Sequence, residues 1–503
     1  MSGDKRRILS LPKAKGAAAD VLGEVTSVPV GLFDVLLPSR QFIVHHKVAE
    51  LGQVSLTAEF LLRLLFSVDG LEEQDVAQFF GFNANEMAFV VNEAESRDYV
   101  GRHDGRIWLK DAGYALFKDG SKPQIFDVQK RTEKIGFDLL SIAPCERDNL
   151  SEFERAFPEL EIIDGEMAAR ASQTIPDSFR RHYREIVGRK DRDPAAGVKR
   201  ALYSIDEVIP ADRFSSLVAV LVTASIRKPE EPIPVFDAWR SGHELDDRNA
   251  VVNAVAVFLD NLKKNRGIED DHAYQVVFDL APEYLKEYKT RSGLSVPRFF
   301  RETAARVGEL RVDRPTVGLV GPLYSPENSK RIFDAMGYAA RLKADLGAGP
   351  ILWLVPNFPT WGASRALNTF LERIASENDV SVTRIKSTRS EIAITCGKPH
   401  KHVLKAFQKV LLRADNGSIP NSLEMLLVPR RMVAVTVHAP IGIGRGFPVP
   451  LGLLSFEPDV VERAHQYLNT QLPQFLSESD SNDKFDVQSV IRWQEASKDD
   501  ENE

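Results

Sequence analysis

From residue 315 onward the chain alternates between short β-prone runs and amphipathic helical stretches, a rhythm that few folds accommodate. "PTVGLVGPLYS" reads as a strand running into a capped helix that begins "SPENSKRIFDAMGYAARLK". "PILWLVP" is the next strand, "ASRALNTFLERIAS" the next helix and "VSVTRIK" a third strand. Parallel neighbours need a crossover helix, so this alternation predicts an α/β domain with a largely parallel core. Residues 421–446, "NSLEMLLVPRRMVAVTVHAPIGIGRG", have the outline of two strands around a tight turn, followed by a glycine-rich loop. No internal repeat at solenoid periods accompanies them.

Upstream, residues 51–120 read as a compact helical unit closed by a hairpin. "LTAEFLLRLLFSV" places Leu56, Phe60, Leu61, Leu64 and Leu65 on one helical face. "LEEQDVAQFFG" gives a second helix, with Val76, Phe79 and Phe80 inward and Gly81 as its stop. "FNANEMAFVVNEAESRD" supplies a third, with an Asn cap. "YVGRHDGRIWL" is two strand-like runs around Asp104-Gly105, a strong hairpin signal, and "KDAGYALFKDG" a last helix. Helix, helix, turn, helix, hairpin resembles the winged helix-turn-helix domain.

Between them, 121–310 reads as a mixed α/β middle region. "SSLVAVLVTASI" and "PIPVFDAW" are strands and "DRNAVVNAVAVFLDNLKKN" an amphipathic helix. Its segment 178–200 is basic, carrying Arg180, Arg181, Arg184, Arg189, Lys190, Arg192, Lys199 and Arg200 against Glu185, Asp191 and Asp193. Residues 1–50 read as a basic tail and lead-in, and 476–503 as an acidic disordered tail.

Composition removes several function classes. At 503 residues the chain has room for roughly two to four domains. A net charge of −7 leaves any nucleic-acid surface a local feature. Two cysteines, Cys145 and Cys396, make neither a disulfide framework nor a thiolate zinc site, which fits a reducing, cytoplasmic setting. No stretch reaches the ~18–20 apolar residues of a membrane span, and the N-terminus lacks a signal-peptide core.

The chemical candidates are few. On the wing stand Arg102, His103, Arg106 and Lys110, suited to phosphate backbone, whereas the third helix presents Glu86, Glu93 and Glu95, which repel phosphate. In "KPHKHVLKAFQKVLLRADNG", Lys401, Lys405, Lys409 and Arg413 recur every fourth residue, predicting one basic stripe on a helix. Val403, Leu404, Phe407, Val410 and Leu411 form its opposite, buried face. His400 and His402 diverge on such a helix and lack a carboxylate to complete a metal site. Asp270, Asp271 and His272 form the remaining metal candidate, a weak pattern in which paired acids serve loop solvation. The loop "GIGRGF" is followed by "PVPLG" rather than a helix, so it is no phosphate-cradling loop; Arg445 is expected exposed at its tip. Gly-x-Ser-x-Gly and His-Glu-x-x-His motifs are absent.

The strand–helix units, the 421–446 hairpin and "LGLLSFEPDVVERAHQYLNTQL" together resemble a phospholipase D-like domain over 311–475. In that family a strand carries His, then Lys two residues on, then Asp five positions later; the His attacks a phosphodiester and the Lys binds its oxygens. Here Ser422, Glu424 and Pro429 stand at those positions, and the return strand offers Thr436, Val437, His438 and Ala439. The resemblance thus implies a fold kept and a catalytic half-site lost, with no catalytic residue, metal or cofactor.

The combined expectation is an α/β multidomain chain: N-terminal winged helix, mixed middle region and C-terminal phospholipase D-like domain. Such a combination resembles proteins of bacterial defence or mobile-element gene clusters, whose partners are nucleic acid (DNA above all) and an ATPase or nuclease subunit, with no membrane. The implied function is a non-catalytic nucleic-acid-associated adaptor, with Arg102, Arg106, Lys110, Arg180, Arg181, Arg184, Lys401, Lys405, Lys409 and Arg413 on phosphate. The alternatives are a divergent phosphodiesterase using His438 or His400 as a displaced nucleophile, and a protein-only scaffold.

Overall fold

The computed structural model describes residues 27–51, 55–117, 123, 126–191, 200–240, 248–291, 293–305, 308–342, 351–378, 391–396, 398–407, 409–413, 419–471 and 475–477. The 1–26 tail, the "VSVTRIK" strand and the tail beyond 477 lie outside them. The chain is a mixed α/β protein with several sheets. It divides into two compact units: a core unit of 1–37, 148–161 and 217–503, and an inserted unit of 38–147 and 162–216. The expected middle region is therefore split between the two, and the expected lead-in ends in a strand.

In the inserted unit, strand β1 (Ser27–Leu51, here from Pro38) leads into helix Leu56–Ser67, β2 (Leu71–Glu72), and helices Glu73–Phe80 and Ala84–Ser96. The hairpin β3 (Val100–His103) and β4 (Arg106–Leu109) then closes a three-stranded sheet in the order β2-β4-β3. Asp104 and Gly105 both take positive φ, the two-residue turn that matches strand twist. Leu61, Leu65, Val76, Met87, Val91 and Ile107 form the core of this module. Three residues expected on the inner faces are on the outside instead: Leu56, Phe60 and Phe79 are exposed. Helices of two to three turns bury only a narrow stripe, and Leu61, Leu62 and Val76 fill it.

The unit continues through β5 (Phe126–Asp138) and β6 (Pro144–Cys145), helix Ala171–Asp191 and β7 (Arg200–Ser225). β5 pairs antiparallel with β1 from Ser39↔Asp138 to Leu51↔Phe126. Phe42, Val44 and Phe137 of this sheet pack with Ile175, Phe179 and Tyr183 of the helix.

In the core unit, β7 from Leu217 pairs with β8 (Lys228–Val235). Helices Asn249–Asn261 and Ile268–Leu280 follow, then a small hairpin of β9 (Lys289–Thr290) and β10 (Gly293–Leu294). The centre is an eight-stranded sheet. Its strands are β11 (Thr316–Val320), β12 (Ile351–Val355), β13 (Glu391–Cys396), β14 (Lys409–Arg413), β15 (Leu423–Val428), β16 (Met432–Ala439), β17 (Val449–Ser455) and β18 (Phe475–Ser477). They lie in the order β11-β17-β16-β15-β12-β13-β14-β18.

Only β12–β13 and β13–β14 pair in parallel; the other neighbours are antiparallel. The core is thus mostly antiparallel, contrary to the expectation from alternation. The meander β15-β16-β17, joined without helices, inserts between β11 and β12 and supplies the antiparallel contacts. Its strands are buried along their whole length, as their unbroken apolar runs require when both faces are covered.

The basic stripe is also corrected. The helix spans only Lys401–Ala406, and Lys409–Arg413 is strand β14, paired with β13 and β18. Leu404, expected in the buried face, is partly exposed. Pairing to a sheet edge outweighs a helical periodicity that rests on four cations.

Candidate functional site

Glu424 is the anchor. It is the second residue of β15, opposite Thr436 of β16, and Thr436 is opposite Gly452 of β17. Period-two alternation places Ser422, Glu424 and Leu426 on one sheet face, with Ala434, Thr436 and His438 beside them. That face also carries Trp353 of β12, which pairs with Leu426. Glu424 has 0% exposure, and an unpaired carboxylate there would be prohibitively costly. It is not unpaired. Trp353 Nε1 and Trp361 Nε1 donate to Oε1 at 3.1 and 2.9 Å. Thr436 Oγ1 and His438 Nε2 reach Oε2 at 2.8 and 2.6 Å. With Glu424 as carboxylate, all four partners donate.

A second layer fixes the indoles. Trp353 and Trp361 pack edge to face at 5.4 Å, and Trp361 packs the same way on Tyr324 at 6.2 Å. Tyr324 Oη accepts from Gly362 N at 2.9 Å, and burial pushes its pKa above the ordinary tyrosine range. His402 Nε2 donates to the Trp361 carbonyl at 2.7 Å. Burial lowers the His402 pKa to about 4, so this ring is neutral at physiological pH. His400 caps the same short helix; its ring stacks on His402 at 5.7 Å rather than diverging, because it lies outside the helical turn.

Beside the polar cluster lies a cleft of about 210 Å³. Its floor includes Ser422 and His438; its walls come from the loop after β12 and from the start of helix Ile268–Leu280. Lys264 Nζ on the lining is tied to Asp270 at 3.0 Å. Asp271 pairs with Arg266, so the two acids of the expected metal candidate hold cations of the chain. Among the described residues no group of three or more His, Cys, Asp or Glu is placed to hold a metal ion. Arg445 is exposed on the glycine loop, as expected. It donates to the Asp260 carbonyl at 3.1 Å, and Gly446 pairs with Lys264, binding the glycine loop to the edge of the cleft.

The ten cations expected on phosphate are dispersed and largely paired. Arg102 meets Glu73 at 2.8 Å, Arg106 meets Glu72 at 3.7 Å and Lys110 meets Asp98 at 2.7 Å, so the cations in and after the β3–β4 hairpin are neutralised by their own neighbours. Arg180 pairs with Asp177 at 2.8 Å, while Arg181 and Arg184 are exposed on the same helix. Lys405 pairs with Glu152 at 3.1 Å; Lys401 and Lys409 are exposed, on a helix and a strand respectively, and Arg413 ends that strand. The acids of the third helix have folding roles. Glu86 and Asn83 form a reciprocal cap at 2.9 Å, and Glu93 accepts from Ser55 N at 2.9 Å.

Sequence reasoning missed Trp353, Trp361 and Thr436 as partners of Glu424. The available signal was the acid itself: a carboxylate inside "LEMLLV" must find several donors. No membrane-length apolar helix occurs among the described residues. Against this geometry, no family model, no curated protein and no solved structure gives a match to the chain.

Proposed function

We propose that this chain is a non-catalytic adaptor subunit that associates with nucleic acid and holds protein partners. One observation carries the reading: the position where a phospholipase D-like site needs its lysine is taken by Glu424, whose oxygens are fully engaged by four donors. A buried carboxylate repels a phosphodiester, and His438 spends its Nε2 on that carboxylate. The loss of phosphoryl-transfer chemistry leaves the winged-helix and phospholipase D-like folds as binding scaffolds.

The exposed Arg181, Arg184, Lys401 and Lys409 are the cations assigned to phosphate contact. The reading predicts sequence-tolerant binding that weakens steeply between about 50 and 200 mM salt. Fluorescence anisotropy on duplex and single-stranded DNA and RNA measures this. Reversing Lys401, Lys405 and Lys409 to Glu lowers affinity; absence of low-salt binding, or indifference to those reversals, sinks it. A His438→Ala variant serves as the enzymatic control: any metal-independent phosphodiester cleavage that this change abolishes establishes the hydrolase alternative instead.

A second reading, a protein-only scaffold, draws on the helical module. Phe79 and Phe89 are 70% and 68% exposed there, beside a self-neutralised wing. Recovery of a stoichiometric partner that is lost in Phe79→Ser or Phe89→Ser, with no polymer binding, favours it.

A further inference from the structure

The cleft beside Glu424 contains a polar group with nothing to bond. Ser422 is 5% exposed and is among the residues that line the cavity, and its Oγ, closed off from solvent, has no hydrogen-bond partner. Buried hydroxyls are ordinarily paired, so an orphan on a residue beside a cavity is a hydroxyl that a turn about χ1 can bring to a ligand atom. Next to it is His438, whose main-chain N–H donates to the Ser422 carbonyl at 2.8 Å. Its Nε2 is committed to Glu424 at 2.6 Å, which holds the ring in one orientation. The lining therefore sets the Ser422 residue beside an imidazole that the Glu424 network keeps in place.

The rim adds Asn261, Asn357 and Asn421, three exposed carboxamides that each present a donor and an acceptor. Two are anchored through their backbone: Asn357 N donates to Asn421 O at 2.8 Å, and Asn421 N to Glu269 at 2.5 Å. Phe358 supplies an apolar wall, its ring 6.2 Å from that of His438. Charge narrows the choice. Lys264 is paired with Asp270, and Glu269 adds a second carboxylate, so the lining holds one cation and two anions. Such a lining repels phosphate. The volume, about 210 Å³, is below that of drug-sized pockets.

We propose that this cleft binds a small uncharged nucleoside. Carboxamides read the donor–acceptor edge of a base, an aromatic wall packs its face, and the Ser422 and His438 floor takes a hydroxyl or amino group. The proposal is independent of the adaptor reading, which concerns salt-dependent contacts of a polymer with surface cations. Isothermal titration of the full chain with adenosine, guanosine, cytidine and uridine, and with their 5′-monophosphates, tests it. At least one nucleoside is expected to bind saturably and almost independently of salt, with its monophosphate about tenfold weaker or more. Ser422→Ala, which leaves the Glu424 partners in place, should weaken binding about fivefold. Asn421→Asp, a rim change away from the buried network, should weaken it as well. No binding of any nucleoside at millimolar concentration, equal or tighter binding of the monophosphates, or indifference to both variants overturns the proposal.

Discussion

Replacing Glu424 by Gln removes one acceptor and points an NH2 group at two of the four donors that converge there. Neither Trp353 and Trp361 on one oxygen nor Thr436 and His438 on the other can turn away, because each is buried. Loss of hydrogen bonds to a buried charged group predicts a stability decrease of roughly 2–4 kcal/mol, read as a lower urea midpoint. A change under about 0.5 kcal/mol would show that the network is not under tension from the carboxylate. His402 gives a pH-dependent counterpart. Burial holds its folded pKa at about 4 against an ordinary 6.5. Between these values the unfolded chain takes up a proton that the folded chain refuses. Stability therefore falls as pH drops through that window, by up to about 1.4 kcal/mol per unit, and is unaffected by this group above it. His402→Gln keeps a donor for the Trp361 carbonyl and should flatten that acid slope; an unchanged slope assigns the acid sensitivity elsewhere. Ser422 and Glu424 stood out in the sequence at the positions where a phospholipase D-like strand carries His and Lys. Their partners did not, because Trp353 and Trp361 come from another strand and its following loop.

Among the elements, the meander β15-β16-β17 holds the site, and Gly452 lets it close. A Cβ on Gly452 would collide with the Val435 carbonyl and lie 2.8 Å from Thr436 Cα, both backbone atoms of the neighbouring strand. Gly452→Ala should therefore destabilise by about 3 kcal/mol or more and sharply lower the soluble yield. Gly337, inside helix Pro326–Leu342, is the opposite case. Nothing lies within 4 Å of its added Cβ, so Gly337→Ala should raise stability by up to about 1 kcal/mol. Thermal midpoints of the two variants check the pair; equal effects would refute the packing account. Local patterns gave the Asp104-Gly105 hairpin, the Asn83 cap and the strand–helix rhythm after 315, since turns, caps and amphipathic faces are properties of neighbouring residues. They misread 398–413, where four cations spaced by four suggest a helix and strand pairing decides otherwise. The antiparallel share of the sheet was equally hidden, because strand order depends on contacts distant in sequence.

At the level of the whole molecule, the unit boundaries at 37/38 and 216/217 fall inside strands β1 and β7, not in Gly- or Ser-rich linkers. A search for composition shifts cannot find such boundaries, and so the inserted unit was read as a winged helix followed by a separate middle region. Each unit nonetheless has its own core: Trp353, Trp361 and Leu426 belong to one, Leu61, Met87 and Ile107 to another. Separate cores predict more than one unfolding step. The tryptophans make this measurable, because Trp108 belongs to the inserted unit while Trp239, Trp353 and Trp361 belong to the core unit. In a background with both Trp108→Phe and Trp493→Phe, the latter removing the tryptophan outside the described residues, fluorescence follows the core unit, while circular dichroism follows both. The two transitions should then differ in urea midpoint. Glu424→Gln should shift the fluorescence transition, and Gly105→Ala, which strains the positive-φ turn of the inserted unit by about 1 kcal/mol, should shift only the other. If every variant moves both probes together, the chain unfolds as one cooperative body. Its two cores would then be a division of contacts without a division of stability.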